Sequence, residues 1–156
     1  MRYNGVYVAT ERSQSVSTAG TLIELQVPAN VQIVLFHAWV GAAEGTDPVD
    51  EVQEIEIYVN DGPATSGTGL TEQVIRGSDD AASAVTALGG PTIAATPITI
   101  YPDGFHLQNG WRYSPIPKEM IRIAGGTTND NIGIQFHVAP DAAIVVSYGM
   151  IWGEIG

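Results

Sequence analysis

Val52-Gln53-Glu54-Ile55-Glu56-Ile57-Tyr58-Val59-Asn60 is the stretch on which the fold turns. Ile55, Ile57 and Val59 alternate with Glu54, Glu56, Tyr58 and Asn60, and a period of two is what a pleated strand sorts onto two faces. Acids on alternate positions predict one wet face and one core face, the habit of an antiparallel sheet. Asp61-Gly62-Pro63 breaks the strand, and residues 62–69, rich in Gly, Ser and Thr, read as a mobile, exposed loop with nothing to pack.

The same period recurs upstream. Residues 31–42 are the most apolar segment, with Ile33, Leu35, His37 and Trp39 facing one way and Val34, Phe36, Ala38 and Val40 the other, which predicts a central strand covered on both sides. Residues 22–27 form a strand stopped by Pro28-Ala29-Asn30, where proline lacks a ladder donor and asparagine favours a turn. Residues 3–10 alternate Tyr3, Gly5, Tyr7 and Ala9 with Asn4, Val6, Val8 and Thr10, then turn into a polar loop at Glu11-Arg12-Ser13-Gln14.

Downstream, residues 92–101 resume strand character, and Pro97 predicts an edge position. Pro102-Asp103-Gly104 reads as a turn before residues 105–113. Strands follow at 120–124, at 132–139 with Ile132, Ile134, Phe136 and Val138 on one face, and at 142–152. In the last, Ile144, Val146, Tyr148, Met150 and Trp152 oppose Val145, Ser147, Gly149 and Ile151. Residues 79–90 fit either a short capped helix stopped by Gly89-Gly90 or a small-residue strand or extended arm. The sum is an all-β chain, a single antiparallel β-sandwich, jelly-roll-like, of about eight or nine strands. Residues 1–156 make one domain, with 1–12 as an N-terminal arm or edge strand.

Composition narrows the function. Seventeen acidic and six basic residues give a net charge of -11, and Lys118 is the only lysine. So acidic a surface repels phosphate backbones and anionic lipids, and neither nucleic acid nor membrane is an expected partner. The absence of cysteine excludes disulfides, iron–sulfur clusters, thiolate zinc sites and cysteine nucleophiles. The first six residues carry no apolar run, so no signal peptide is expected. The longest uncharged stretch, between Glu24 and Glu44, holds Gln26, Pro28, Asn30, Gln32 and His37 and does not read as a membrane span.

Chemistry is sparse. His37, His106 and His137 are the only imidazoles, and His37 and His137, inside apolar strands, read as hydrogen-bonded core residues. The acidic runs at 44–51 and at Asp79-Asp80 read as solvated loops without calcium-loop spacing. No Gly-x-Ser-x-Gly elbow occurs, and the 62–69 loop lacks the lysine of a phosphate loop. No catalytic residue, cofactor or metal is expected, and the chain does not read as an enzyme. Trp39 and Trp152 read as core. Trp111, beside Gly110, Arg112 and Tyr113, reads as the aromatic that meets a partner.

Gln108-Asn109-Gly110-Trp111-Arg112-Tyr113, then Pro115, Pro117, Glu119 and Ile121, then Ala139-Pro140 and the terminal Trp152-Gly153-Glu154-Ile155-Gly156, form an order of elements with a likeness elsewhere. With an opening strand Gly5-Val6-Tyr7-Val8-Ala9-Thr10, this layout resembles small structural proteins of tailed bacteriophages and environmental phage-like genomes. The resemblance implies a β-sandwich in the virion, assembled in the host cytoplasm: a head decoration, or cement, protein bound to the major capsid protein or other virion proteins, as a homo-oligomer, a trimer above others. It carries over no site residue. An arm that adds a strand to a neighbour's sheet would place contacts at Arg2, Tyr3 and Tyr7, with the 62–69 loop, Trp111 and Tyr113 as further contacts. Two alternatives stay open: a tail, neck or fibre component, and a carbohydrate-binding module stacking sugars on Trp111 and Tyr113.

Overall fold

The computed structural model describes residues 4–43, 51–62, 64–77, 82–93, 96–126 and 130–155. Among them every regular element is a strand, and there is no helix long and apolar enough to cross a membrane. In chain order these are β1 (Gly5–Val16), β2 (Gly20–Val27), β3 (Gln32–Ala42), β4 (Val52–Asp61), β5 (Thr68–Gly69), β6 (Gln73–Gly77), β7 (Thr86–Gly89), β8 (Ile98–His106), β9 (Trp111–Tyr113), β10 (Arg122–Ala124), β11 (Asp130–Phe136) and β12 (Ile144–Ile155). Two antiparallel sheets result. The first runs β10-β3-β12-β1-β6, with β9 on the same edge of β3 as β10, and the second runs β5-β7-β2-β11-β4-β8.

One apolar cluster joins the sheets. The first sheet supplies Tyr7, Ile33, Leu35, Val146, Met150 and Trp152, and the second Leu25, Ile55, Ile57, Ile132, Ile134 and Phe136. In β12 the alternation read from sequence holds throughout: Ile144, Val146, Tyr148, Met150 and Trp152 are all buried. Glu154 lies buried at the end of the same strand. It accepts hydrogen bonds from Ser83 Oγ at 2.6 Å, from the Ala84 and Val85 amides at 3.1 and 3.3 Å, and from Trp152 Nε1 at 3.4 Å. This carboxylate ties the end of the first sheet to the segment that enters β7 of the second, so part of the C-terminal Trp-Gly-Glu-Ile signature holds the fold together.

Several expectations need correction. In β3, Ile151 pairs with His37 but Trp152 with Leu35, so Phe36 is an extra residue and the strand bulges there. Parity flips at the bulge. Ala38 and Val40 join Ile33 and Leu35 in the core, whereas His37 and Trp39 turn outward and are half-buried. The polar run at Glu11 to Gln14 is no loop, because β1 keeps its ladder with β12 to Val16 across a bulge where Ser13 adopts φ 59°.

The turn placed at Pro102-Asp103-Gly104 is absent too. These residues pair with Glu56, Ile55 and Glu54 inside β8, which tolerates proline because it is the sheet edge that Pro97 signalled. The chain turns instead at residues 107–109, before Gly110 at φ 68°. Of the ambiguous 79–90 segment, residues 79–81 lie outside the described residues, and the rest contains β7 and no helix. Val138, expected in the core row of the preceding strand, is exposed because β11 ends at Phe136.

Candidate functional site: two outer faces

The residues singled out as partner contacts are placed differently from expectation. Arg2 and Tyr3 lie outside the described residues. Tyr7 is 1% exposed and stacks on Trp152 with ring centroids 5.9 Å apart. Its phenol is pushed up, first by burial and then by the nearby Glu154 charge. From Gly5 to Val8, β1 lies between β12 and β6, so this segment is neither free arm nor edge; beyond Val8 only β12 lines it.

Trp111 and Tyr113 are buried as well. Trp111 Nε1 donates to Asp103 Oδ2 at 3.0 Å, and Tyr113 Oη donates to the Glu119 carbonyl at 3.0 Å while meeting Tyr101 edge-on at 5.2 Å. Their alternate positions on β9 point into the core, where the intervening Arg112 is exposed. Tyr7, Trp111 and Tyr113 are thus buried in this fold and present no open ring face.

The outward face of β4 was expected to be wet, yet Glu56, Tyr58 and Asn60 are all buried. Strand order supplies the cause. For Tyr58 and Asn60, the chain leaves β4 and must reach β5, beyond β11, β2 and β7, so Gly62 and residues 64–69 run as a strap across this end of the second sheet. Asn131 Nδ2 donates to the Gly62 carbonyl, the Thr65 amide to the Thr92 carbonyl at 3.0 Å, the Thr92 amide to Ser66 Oγ at 3.2 Å, and the Leu70 amide to the Ala87 carbonyl at 2.9 Å. Residues 65–69 are exposed, as expected, but they are tied down.

Beneath the strap, Tyr58 reaches over Gly133, which pairs with both Tyr58 and Glu24, and donates to Glu24 Oε2 at 2.6 Å. Thr21 Oγ1 lies 3.2 Å from the same phenol oxygen. A Cβ at Gly133 would overlap the Tyr58 ring, so only glycine leaves this path open. Burial raises the Glu24 pKa, against hydrogen bonds from Tyr58, Gln26 and the Ala64 amide that lower it; burial and the Glu24 charge push the Tyr58 phenol far up. Glu24 Oε1, both amide atoms of Asn60 and Asn131 Oδ1 are buried without a hydrogen-bond partner. This face is a closed polar layer.

The first sheet is built the other way. Trp39 pairs with Gly149 on one side and Arg112 on the other. A Cβ at Gly149 would overlap the far edge of the indole, so that edge lies over the glycine. His37 stacks beside it, centroids 5.5 Å apart, with Nδ1 2.6 Å from Ser114 Oγ. A recess of about 260 Å³ opens next to the indole, lined by Gly41, Gln108, Asn109, Gly110 and Arg112 among others. Sequence reading missed Trp39 as a surface group. The signal was present in Ser147 and Gly149, small residues on the outward positions of β12 that leave room for a neighbour's ring.

The other histidines do not join His37. His137 is no core residue: its side chain is 63% exposed, and Nδ1 lies 3.8 Å from Glu56 Oε1, while Glu56 is held by Thr99 Oγ1 at 2.6 Å and by Gln135 Nε2. Among the described residues no group of three or more His, Asp or Glu is placed to hold a metal. The acidic runs at 44–50 and Asp79-Asp80 lie outside the described residues. A recess of about 400 Å³ beside the β1–β2 turn is lined by Ser15, Ser17, Thr18, Thr21, Gln135 and Tyr148 among others, with no Asp, Glu, His, Lys or Arg.

The sheet edges are apolar. On β8, Ile98 is 64% exposed, and Ile100 and Tyr101 are exposed beside it; on β6, Val74 and Ile75 are exposed. Compared with protein-family models, curated proteins and solved structures, the chain matches none.

Proposed function

We propose that this chain is a non-enzymatic structural protein of a tailed-phage virion, a head decoration protein that binds the major capsid lattice as a homo-oligomer, with a trimer favoured, and that its sandwich is a jelly roll. Strand order supports the jelly roll. With β9 and β10 taken together as a sixth strand, and β11 and β12 as the seventh and eighth, β1 to β4 and β8 complete a set whose sheets read 1-8-3-6 and 2-7-4-5. That is the paired Greek key found in viral capsid and lectin domains. Fold alone assigns no function, so the reading rests on a surface.

The observation that carries it is the edge of β8, which has no strand on its outer side among the described residues. Monomeric proteins blunt long edge strands with charge, shortness or cover. Here nine residues stand at the edge of the second sheet with Ile98, Ile100 and Tyr101 exposed, and Pro102 is the one residue among them that lacks an amide donor. Such an edge suits strand addition to a neighbour, with main-chain hydrogen bonds for affinity and many copies for avidity. This reading adds β8 to the contacts expected at the N-terminal segment, of which Arg2 and Tyr3 lie outside the described residues.

Rebinding of purified protein to particles stripped of it tests the assignment. Replacing Ile98 and Ile100 together by Lys is expected to abolish rebinding while the melting transition stays cooperative. Rebinding at the parent level would remove β8 from the interface.

A further inference from the structure

The recess beside Trp39 lies on the first sheet, away from β8, and neither the fold nor the lattice reading uses it. Three features converge there. The indole edge lies over Gly149, the ring stacks with His37, and the residue is only half-buried, so part of the indole stays open to the recess. Its tilt is fixed by the His37 stack, itself held by Ser114. Around the opening, the exposed side chains of Gln108, Asn109 and Arg112 make no hydrogen bond or ion pair among the described residues.

Each feature selects a property of the ligand. The face of an indole carries the negative side of its quadrupole, which attracts the weakly positive C–H groups on one face of a pyranose ring. Planar amides supply paired donors and acceptors suited to vicinal hydroxyls. In a chain of net charge -11, this recess is lined by a guanidinium and, among the described residues, by no Asp or Glu. A free guanidinium fork matches a carboxylate in two parallel hydrogen bonds. The volume of about 260 Å³ is below that of pockets for drug-sized ligands and suits a single ring.

We propose that this recess binds an acidic sugar, a pyranose carrying a carboxylate, with Trp39 as the stacking platform, Arg112 as the carboxylate partner, and Gln108 and Asn109 on the hydroxyls. The proposal is independent of the lattice reading: a sugar-binding chain absent from virions, or a virion chain blind to sugars, separates the two.

The test uses the full chain with methyl glucuronide and methyl glucoside as probes, followed by ligand-observed NMR saturation transfer and by tryptophan fluorescence. The glucuronide is expected to bind in the millimolar range, at least tenfold tighter than the glucoside. Trp39→Ala is expected to remove binding of both. Arg112→Ala, a change on an exposed side chain that leaves the core untouched, is expected to bring the glucuronide down to the level of the glucoside. No binding of either probe at tens of millimolar, equal affinity for the two, or undiminished glucuronide binding by Arg112→Ala would each overturn the proposal.

Discussion

On the outward face of the second sheet, Glu24, Tyr58, Asn60 and Asn131 lie under a strap, while on that of the first, Trp39 and His37 lie half-open over Gly149. Both faces use the same device, a large ring laid across a glycine of the neighbouring strand: Tyr58 over Gly133, Trp39 over Gly149. What differs is the cover. Over Tyr58 the chain itself closes the face, and the polar groups there have partners inside the protein or none. Over Trp39 the described chain leaves the ring half-open, with free amide and guanidinium groups around it. The first arrangement serves stability, and the second is the kind of surface that meets something else.

The sharpest way to break this contrast is Gly133→Val. The added side chain must displace a ring pinned by a buried hydrogen bond, and the expected loss is about 3 kcal/mol. In a chain of this length that lowers Tm by roughly 6–12 °C, read by calorimetry. A change under 1 °C would mean that Tyr58 has room to move and that the layer is not closed. Tyr58→Phe comes next. It keeps the ring but leaves the buried Glu24 carboxyl without its phenol donor, at an expected cost of about 2 kcal/mol in urea unfolding.

The pH dependence follows from the direction of the Glu24 shift. Burial raises its folded pKa above the ordinary 4.5, so above that pH the folded state holds a proton that the unfolded state has released. Stability therefore falls as pH rises from about 4.5 toward the folded pKa. Asp130, raised by burial and by Asp61, drifts in the same sense. Glu24→Gln is expected to flatten the Glu24 part of the slope in pH-resolved melts and leave the Asp130 part; an unchanged slope would place the titration elsewhere. The smallest effect belongs to the open face. Trp39→Ala is expected to cost only about 1 kcal/mol, because part of the indole already faces water. A loss as large as that at Gly133 would make Trp39 a core residue after all.

Much of the fold was legible where strands run without interruption. The alternation in β12 sorts its buried residues correctly because no bulge intervenes in it, and β8 stands at the sheet edge as expected, although Pro97 only precedes the strand and the proline tolerated inside it is Pro102. The candidate site was less legible, for two physical reasons. One extra residue at Phe36 reverses parity in β3 and turns Trp39 from core to surface, and periodicity alone cannot register a bulge. The polar layer joins Glu24, Tyr58 and Asn131, far apart in the chain, through strand pairing that no local pattern specifies. Tyr58 and Asn60 look solvent-facing until the order of strands requires residues 64–69 to cross this face, and Glu56 until pairing brings Thr99 and Gln135 to its carboxylate. The aromatic neighbourhood of Trp111 was noticed, yet the ring that remains accessible is its neighbour across the recess.

The most direct test of the account is the number of copies per particle, by quantitative peptide mass spectrometry on gradient-purified virions from the source culture. A head decoration protein is expected at hundreds of copies per particle. A few to tens of copies would contradict the lattice assignment in favour of the neck, tail or fibres, and absence from the particles would contradict the virion reading altogether.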